Sequence, residues 1–387
     1  VAEFLSGGSR PQKMLIVHTE SSHGWGGQEI RVLTESRELI NRGHQVVVLA
    51  DADSLIAQRA SAYGVPVQTL RLKKKRFAEI RAMASAINAL QPDVISTHSS
   101  TDHWVVAIAR LFARHKPAVI RTRHVSAPVS RGMSTRWLYR SGCAAVVTTG
   151  ESIREHLTHD GLVPKEKVFS IPTGIDLGFF KSSNQQQARA RITSSVAIDS
   201  DALLFGNIAT LRSWKGQHDL IQAFALIAAE LPAAQLLIVG DGPQAESLRA
   251  LVASLDLKSR VFFAGHQADV RDYFDALDVF VFPSYANEGI PQAILQAMAY
   301  GLAIVTTTAG AIEEAVAGYP AATIIAPRDV AQLAGAMRGF GRQRPGRVSL
   351  PEAICQRIDI GAMTDHMIAI YGRARGEKRP YNNTRQR

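Results

Sequence analysis

DVFVFPSYANEGIPQAILQAMAYGLAIVT, residues 278–306, decides the fold. Val279–Phe282 is a short, wholly apolar run, the length of a buried strand. Pro283 and Ser284 end it, and Glu288 and Gly289 follow. Pro291 stands where a first helical residue is favoured. An apolar helical pattern runs on to Ala299, Gly301 closes it, and 303–306 is a second apolar run. Strand, helix and strand in that order make a βαβ unit, whose strands lie parallel in one sheet.

The same alternation extends in both directions. Around the quoted unit lie apolar runs at 203–208, 235–239, 261–264 and 322–325, with helical patterns at 217–230 and 244–255. An earlier series has runs at 15–18, 45–50, 66–70, 94–97, 118–121 and 144–148. Its first helical stretch, 28–41, repeats Ile30, Leu33 and Ile40 at helical spacing and is stopped by Gly43. Between the two series, Pro172, Gly174 and Asp176 supply turn chemistry, and 181–191 is polar and reads as a linker. The expectation is α/β, with two Rossmann-like parallel-sheet domains at 14–180 and 192–352. A last helical pattern, 351–371, carries Ile354, Ile358, Met367, Ile368 and Tyr371 on one side. It lies too far past the last strand to be a simple crossover helix, and Gly361 is expected to bend it. Residues 182–191 and the Gly361 region are the expected hinges.

Composition narrows the class. The chain has 387 residues, 46% hydrophobic and 20% charged, which is ordinary globular composition at two-domain length. No apolar run approaches the roughly 18 to 20 residues of a membrane span. Cys143 and Cys355 have no metal-type spacing, so a reduced, cytoplasmic protein is the simplest reading. Residues 1–13 read as an appended or disordered arm without the apolar core of a signal peptide. The net charge is +10 and uneven: +7 over 14–180, −2 over 181–352 and +4 over 353–387. The basic first half suits an anionic surface or ligand, and equally a solvated basic face. Arg71, Lys73, Lys74, Lys75 and Arg76 form the densest basic run. No nucleic-acid partner is expected.

In an open parallel sheet, ligands bind beyond the carboxyl ends of the strands. The first domain offers 21–28, 98–102 and His124 there; the second offers 211–216, 240–243, 284–291 and 308–314. Gly26 and Gly27 open a helix after a strand, where backbone N–H groups can meet a phosphate; a tight turn uses the same residues. Arg212 and Lys215 can hold a diphosphate and the charge that builds on it as it leaves, or can be a solvated pair. Glu288 at a helix start can act on a substrate or merely complement the dipole. His124, flanked by Arg121 and Arg123, is either a site residue or a structural one.

Taken together, these spacings resemble the family-four retaining glycosyltransferases of the GT-B fold, from about Met14 to Tyr371. The match is most specific over 278–306, and Lys215 with Gly216, the Gly-Asp-Gly-Pro of 240–243 and the Pro-x-Gly-Ile-Asp of 172–176 keep family order. The resemblance implies two Rossmann-like domains facing across a cleft. It implies an acceptor-binding first domain, a second that binds the nucleotide sugar, and a C-terminal helix, 353–373, that crosses back to the first. It implies catalytic roles for Glu288, His124 and Lys215, and donor contacts from Gly26, Gly27, Arg212, Lys215, Gly242, Gly289, Ile290 and Gln296. Glu313 matches a glutamate that follows a glycine turn. Two positions depart from the pattern. Gln296 stands where the second glutamate of Glu-x7-Glu is expected, and Thr210 where an arginine is, with Arg212 as its substitute.

The reading that follows is a retaining transfer of sugar from a nucleotide-diphosphate sugar, UDP the expected carrier, to a hydroxyl of a glycan or lipid-linked acceptor. It places the protein in lipopolysaccharide or exopolysaccharide assembly, at the inner face of an anionic membrane. No cofactor and no divalent metal are expected, since no aspartate cluster has ligand spacing. A nucleotide-sugar epimerase of the same fold and a non-catalytic glycan-binding protein are the alternatives. A phosphorylase-like enzyme would need a cofactor lysine site that the sequence does not offer.

Overall fold

The computed structural model describes residues 13–159, 161–194, 196–286 and 288–376. The amino-terminal arm, Lys13 apart, lies outside them. Thirteen strands are described: β1 Leu15–Glu20, β2 Gln45–Ala50, β3 Val67–Thr69, β4 Val94–Thr97, β5 Ala118–Arg123, β6 Ala145–Thr148, β7 Val168–Ser170, β8 Leu203–Ile208, β9 Ala234–Val239, β10 Val261–Gly265, β11 Val279–Phe282, β12 Ala303–Thr307 and β13 Ala322–Ile325. They form a seven-stranded sheet, β3-β2-β1-β4-β5-β6-β7, and a six-stranded sheet, β10-β9-β8-β11-β12-β13. The pairings within both sheets are parallel. The three-residue β7 is too short to have stood out in the sequence.

Alternation along each strand sorts side chains to two faces. In the first sheet Val17, Ile95, Val119 and Val146 face one core. Ile16, Val94, Ile120 and Val147 face the other. In the second sheet Leu204, Leu237, Phe280 and Ile304 separate in the same way from Phe205, Leu236, Val279 and Val305. A sheet buried on both faces explains why its strands read as continuous apolar runs.

The carboxyl-terminal segment forms helices Glu352–Ile358 and Ile360–Ala374. The second buries Ile360, Met363, Met367, Ile370 and Tyr371 against Met14, Ile16, Val94 and Ile120 of the first sheet. Each such side chain contributes about 1.5–3 kcal/mol on burial, enough to hold a helix of the second half of the chain on the first lobe. The break between these helices falls at Asp359, whose backbone is extended, and not at Gly361, which lies in the first turn of the second helix. The cause is a β-bridge between Asp359 and Ile175. Ile175 N–H donates to Ile358 O (2.8 Å), and Ile360 N–H donates to Ile175 O (3.0 Å). The two chain crossings between the lobes are thus bonded to each other. Gly174 permits this, since a Cβ there would lie 2.7 Å from the Ile360 Cα.

The polar stretch read as a linker is mostly structure of the second lobe. Asn184 caps a helix, Gln185–Thr193, whose Ala188 and Ile192 enter the second core. Ser182, Ser183 and Asn184 are polar because all three donate to the carboxylate of Asp275. Arg189 is polar because it pairs with buried Asp278 at 2.7 Å.

Candidate functional site

Both sheets reverse strand order beside their first strand: β1 pairs with β2 and β4, and β8 pairs with β9 and β11. The loops beyond these switch points face each other. Gly289 sits directly against the first lobe, where a Cβ would lie 2.2 Å from the backbone oxygen of His124 and 2.7 Å from Thr149 Oγ1. Only glycine lets the loop carrying Glu288 come this close. Among the described residues, three side chains also reach across between the lobes. Gln292 Nε2 donates to Gly27 O (3.1 Å), Arg59 Nη2 lies 3.1 Å from His266 Nε2, and Glu314 accepts from the Glu151 and Ser152 N–H groups at 2.5 and 2.7 Å.

On the second lobe, Lys215 and Glu288 meet. Lys215 Nζ lies 2.7 Å from Glu288 Oε1 and 5.1 Å from the centre of the Phe282 ring. Ser284 Oγ donates to the same carboxylate oxygen at 2.6 Å and is also 2.8 Å from Trp214 O. Tyr285 N–H donates to Trp214 O as well, so the loops after β8 and β11 are fastened together. Glu288 is buried and Lys215 mostly so. An ion pair this enclosed is costly to break from one side, about 3–5 kcal/mol, which fixes the ammonium at the cleft. Arg212, by contrast, is exposed and stacks over Trp214. Its backbone carbonyl accepts from Lys215 N–H (3.0 Å), while its guanidinium stays at the surface over the Trp214 ring, where a ligand can reach it.

The remaining second-lobe candidates divide by position. Gly242 adopts φ +157, and a Cβ there would lie 2.5 Å from Leu211 O. Leu211 N–H donates to Asp241 O, and Gln244 N–H to Leu211 O. The Gly-Asp-Gly-Pro loop therefore buttresses the loop that carries Arg212 and Lys215. Ile290 is half-buried against the second core. Gln296 is buried on helix Gln292–Ala299. Glu313 is exposed; its neighbour Glu314 is the one that crosses to the first lobe.

On the first lobe, Gly26 is the N-cap and Gly27 the first residue of helix Gly27–Asn41, with no side-chain cap. A Cβ at Gly27 would meet nothing within 4 Å, so that surface is open. His124 follows β5 and is joined to two further histidines. His18 Nδ1 lies 2.8 Å from His98 Nε2, and His98 Nδ1 lies 2.9 Å from His124 Nε2. Burial pushes His98 and His124 well below the usual histidine range, and the neighbouring histidines and Arg31 and Arg121 push the same way. Burial lowers His18 as well, so all three rings are neutral at neutral pH. Arg121 and Arg123 turn away from the cleft, toward Thr97 O and the Tyr139 hydroxyl.

Two groupings escaped the sequence reading. Glu20, at the end of β1, is fully buried and accepts from Ser22 N–H, Gln28 Nε2 and Ser99 Oγ. Burial, with the charges of Asp102 and Glu29, pushes it up to about 8. His23, after β1, comes together with Asp51 and Asp53, both after β2, one ligand atom of each within 4.8 Å of the others. His23 Nε2 lies 3.6 Å from Asp51 and Nδ1 3.5 Å from Asp53, and one ligand atom from each of the three could meet on a metal ion.

Residues 25–179 match the model for Glycosyltransferase Family 4, and residues 201–340 the model for Glycosyl transferases group 1. The chain is similar to the N-acetyl-alpha-D-glucosaminyl L-malate synthase of Bacillus anthracis, 24% identical over 310 residues that cover 75% of this chain and 78% of that one. It is 26% identical over 359 residues to a D-inositol 3-phosphate glycosyltransferase of Geodermatophilus obscurus, covering 82% and 78%. The fold matches that of Anabaena Alr3699/HepE in complex with UDP and glucose, with TM-score 0.79, 22% identity and coverage of 92% and 98%. It also matches a glycosyltransferase from Rickettsia africae ESF-5, with TM-score 0.81, 16% identity and coverage of 94% and 99%.

Proposed function

We propose that this chain, which belongs to the family-four glycosyltransferases of group 1, moves a sugar from a nucleotide-diphosphate sugar to a hydroxyl of a glycan or lipid-linked acceptor, with retention at the anomeric carbon. The observation that carries the reading is the Lys215–Glu288 pair at 2.7 Å, held where the two lobes touch. The bond from the anomeric carbon to the diphosphate oxygen breaks, and its electron pair stays on that oxygen. Lys215, with Arg212 beside it, meets the charge that builds there. The acceptor oxygen attacks from the same face, and its proton passes to the departing diphosphate. Glu288 lies near the transferred sugar and aims the ammonium. His124 lies across from it, beside Gly289. Gln296 holds the ribose. The charge of the diphosphate is met by these cations without a divalent metal. UDP is the expected carrier, by analogy with the Anabaena relative's complex.

The first lobe's surface supports the lipid-linked form of the acceptor. Arg71, Lys73, Lys74, Lys75 and Arg76 are all exposed, and Phe77 beside them is 77% exposed. Lys75 lies over the Trp104 ring, and Trp104 stacks on Trp137, one turn beyond Met133, which is 88% exposed. Cations next to uncovered apolar side chains suit an anionic leaflet, at roughly 1 kcal/mol per Lys or Arg. Among the described residues no helix is long and apolar enough to cross a membrane. A lipid-linked acceptor at the inner face, in lipopolysaccharide or exopolysaccharide assembly, fits such a surface. A thermal-shift panel of nucleotide sugars tests the donor: one nucleoside diphosphate series raises Tm, and Lys215→Ala removes the rise. A panel without any rise, on protein shown to be folded, overturns the reading.

A further inference from the structure

The three histidines form a chain with one open end and one closed end. His124 stands at the cleft, beside Gly289 of the other lobe. His18 is fully buried, and its Nε2 has no hydrogen-bond partner among the described residues. The two contacts, 2.8 and 2.9 Å, occupy one nitrogen of His18, both of His98 and Nε2 of His124. A neutral imidazole carries one N–H and one lone pair. His98 therefore accepts on one side and donates on the other, and the chain has two possible directions.

The buried end chooses between them. If His124 donated from Nε2, His98 would donate from its own Nε2, and His18 would keep its hydrogen on its unpartnered Nε2. An N–H buried without an acceptor is rarer than an acceptor left bare. The reverse direction leaves only a lone pair at His18 Nε2. His18 then donates from Nδ1 to His98, and His98 donates from Nδ1 to Nε2 of His124. Protonating His98 would let it donate both ways, but it would put a charge among Arg31, Arg121 and the other two rings.

We propose that His98 is a positioning residue: with His18 behind it, it holds His124 in the tautomer with hydrogen on Nδ1, so that His124 presents the cleft with an N–H donor and not a base. The partner is an oxygen of the bound sugar. This rests on the placement of His124 beside the transferred sugar, and it leaves the diphosphate oxygen as the group that takes the acceptor's proton. His98 touches no substrate in this account. Its work is to fix a hydrogen position that rotation or tautomer exchange would otherwise share out.

Two-bond 1H–15N spectra of the full-length protein labelled at histidine read the tautomer directly, with His124→Gln identifying the resonance. The wild type shows the Nδ1–H pattern for His124. In His98→Leu the pattern moves toward Nε2–H, and kcat falls by roughly tenfold with donor KM unchanged within about twofold. His98→Gln, whose amide can accept from His18 and donate to His124, restores both. An Nε2–H pattern in the wild type overturns the proposal and points to Glu35 Oε2, itself without a hydrogen-bond partner, as the acceptor His18 finds. A pattern unchanged in His98→Leu overturns it too. If His98→Leu fails to fold, the wild-type spectrum still decides. If the tautomer shifts as stated and kcat does not, the relay stands and the placement of His124 at the sugar is what fails.

Discussion

The ammonium of Lys215 lies 2.7 Å from the carboxylate of Glu288, two residues 73 positions apart that are brought together by the loops after neighbouring strands β8 and β11. Ser284 holds the same carboxylate oxygen, so the pair is oriented before any ligand arrives. Preorganised charge of this kind is what a departing diphosphate requires.

Glu288 and Gln296 should separate cleanly in steady-state kinetics. Glu288→Gln removes the charge that aims Lys215 and is expected to lower kcat on the order of a hundredfold. Gln296 has one acceptor oxygen and a two-proton donor, so it can serve a ribose through neutral bonds. Gln296→Glu is expected to tighten nucleotide binding by no more than ~1–2 kcal/mol and to change kcat less than about tenfold. Wild-type kcat in Glu288→Gln, with a large change in Gln296→Glu, would mean that the two positions are assigned the wrong way round.

Glu20 gives a pH signature of folding. Its folded pKa is about 8 against an ordinary 4.5, so in that window the folded protein keeps a proton that the unfolded chain has released. The sign is that of a raised acid: stability from this group is present below pH 4.5 and is lost as pH rises through 8, by at most about 1.4 kcal/mol per pH unit. Glu20→Gln should flatten the decline in urea midpoints from pH 5 to 8. An equal slope in both proteins would show that Glu20 does not titrate there.

Much of this architecture is legible in the sequence, and the reasons are physical. A strand buried on both faces, such as β11, reads as an unbroken apolar run. The positions of Lys215, Glu288 and His124 in loops where the lobes meet are legible because segments just past strand ends line the cleft of such a sheet. The polar interior is not. Arg31 and Glu35 stand one helical turn apart like a solvated pair, yet both are wholly buried, with Glu35 accepting from the Tyr371 hydroxyl of the last helix at 2.7 Å. The misplaced linker and bend share this cause. Ser182 and Arg189 find their acids about 90 positions away, and Asp359 finds Ile175 across the other crossing. Such partners exist only after folding.

Closure of the cleft should depend on Glu314. Its carboxylate binds two N–H groups at the start of helix Glu151–His159 on the opposite lobe, a partly exposed contact worth about 1–2 kcal/mol. The bonded crossings at Ile175 and Asp359, not residues 182–191, are the expected pivot. Small-angle scattering of Glu314→Ala without ligand should show a larger radius of gyration than the wild type, recovered with saturating nucleotide sugar. Superimposable curves for the two proteins, with and without donor, would contradict the latch.

The basic rim should bind anionic membranes through charge. In liposome sedimentation the protein is expected to bind vesicles containing phosphatidylserine or phosphatidylglycerol and not neutral ones, with binding falling as salt rises. Replacing Arg71, Lys73, Lys74, Lys75 and Arg76 by Ser should abolish it. Binding that persists in high salt or in the five-fold variant would count against electrostatic docking.

The central claim is retaining transfer from a nucleotide sugar, and the anomeric proton of the released sugar tests it most directly. Proton NMR of the protein with a panel of nucleotide sugars, recorded before mutarotation, should show slow turnover of one donor to nucleoside diphosphate and a free sugar. That sugar should first appear with the donor's own anomeric configuration, and Lys215→Ala should silence the reaction. A sugar released with the opposite configuration, or one epimerised at a ring carbon, would contradict the account.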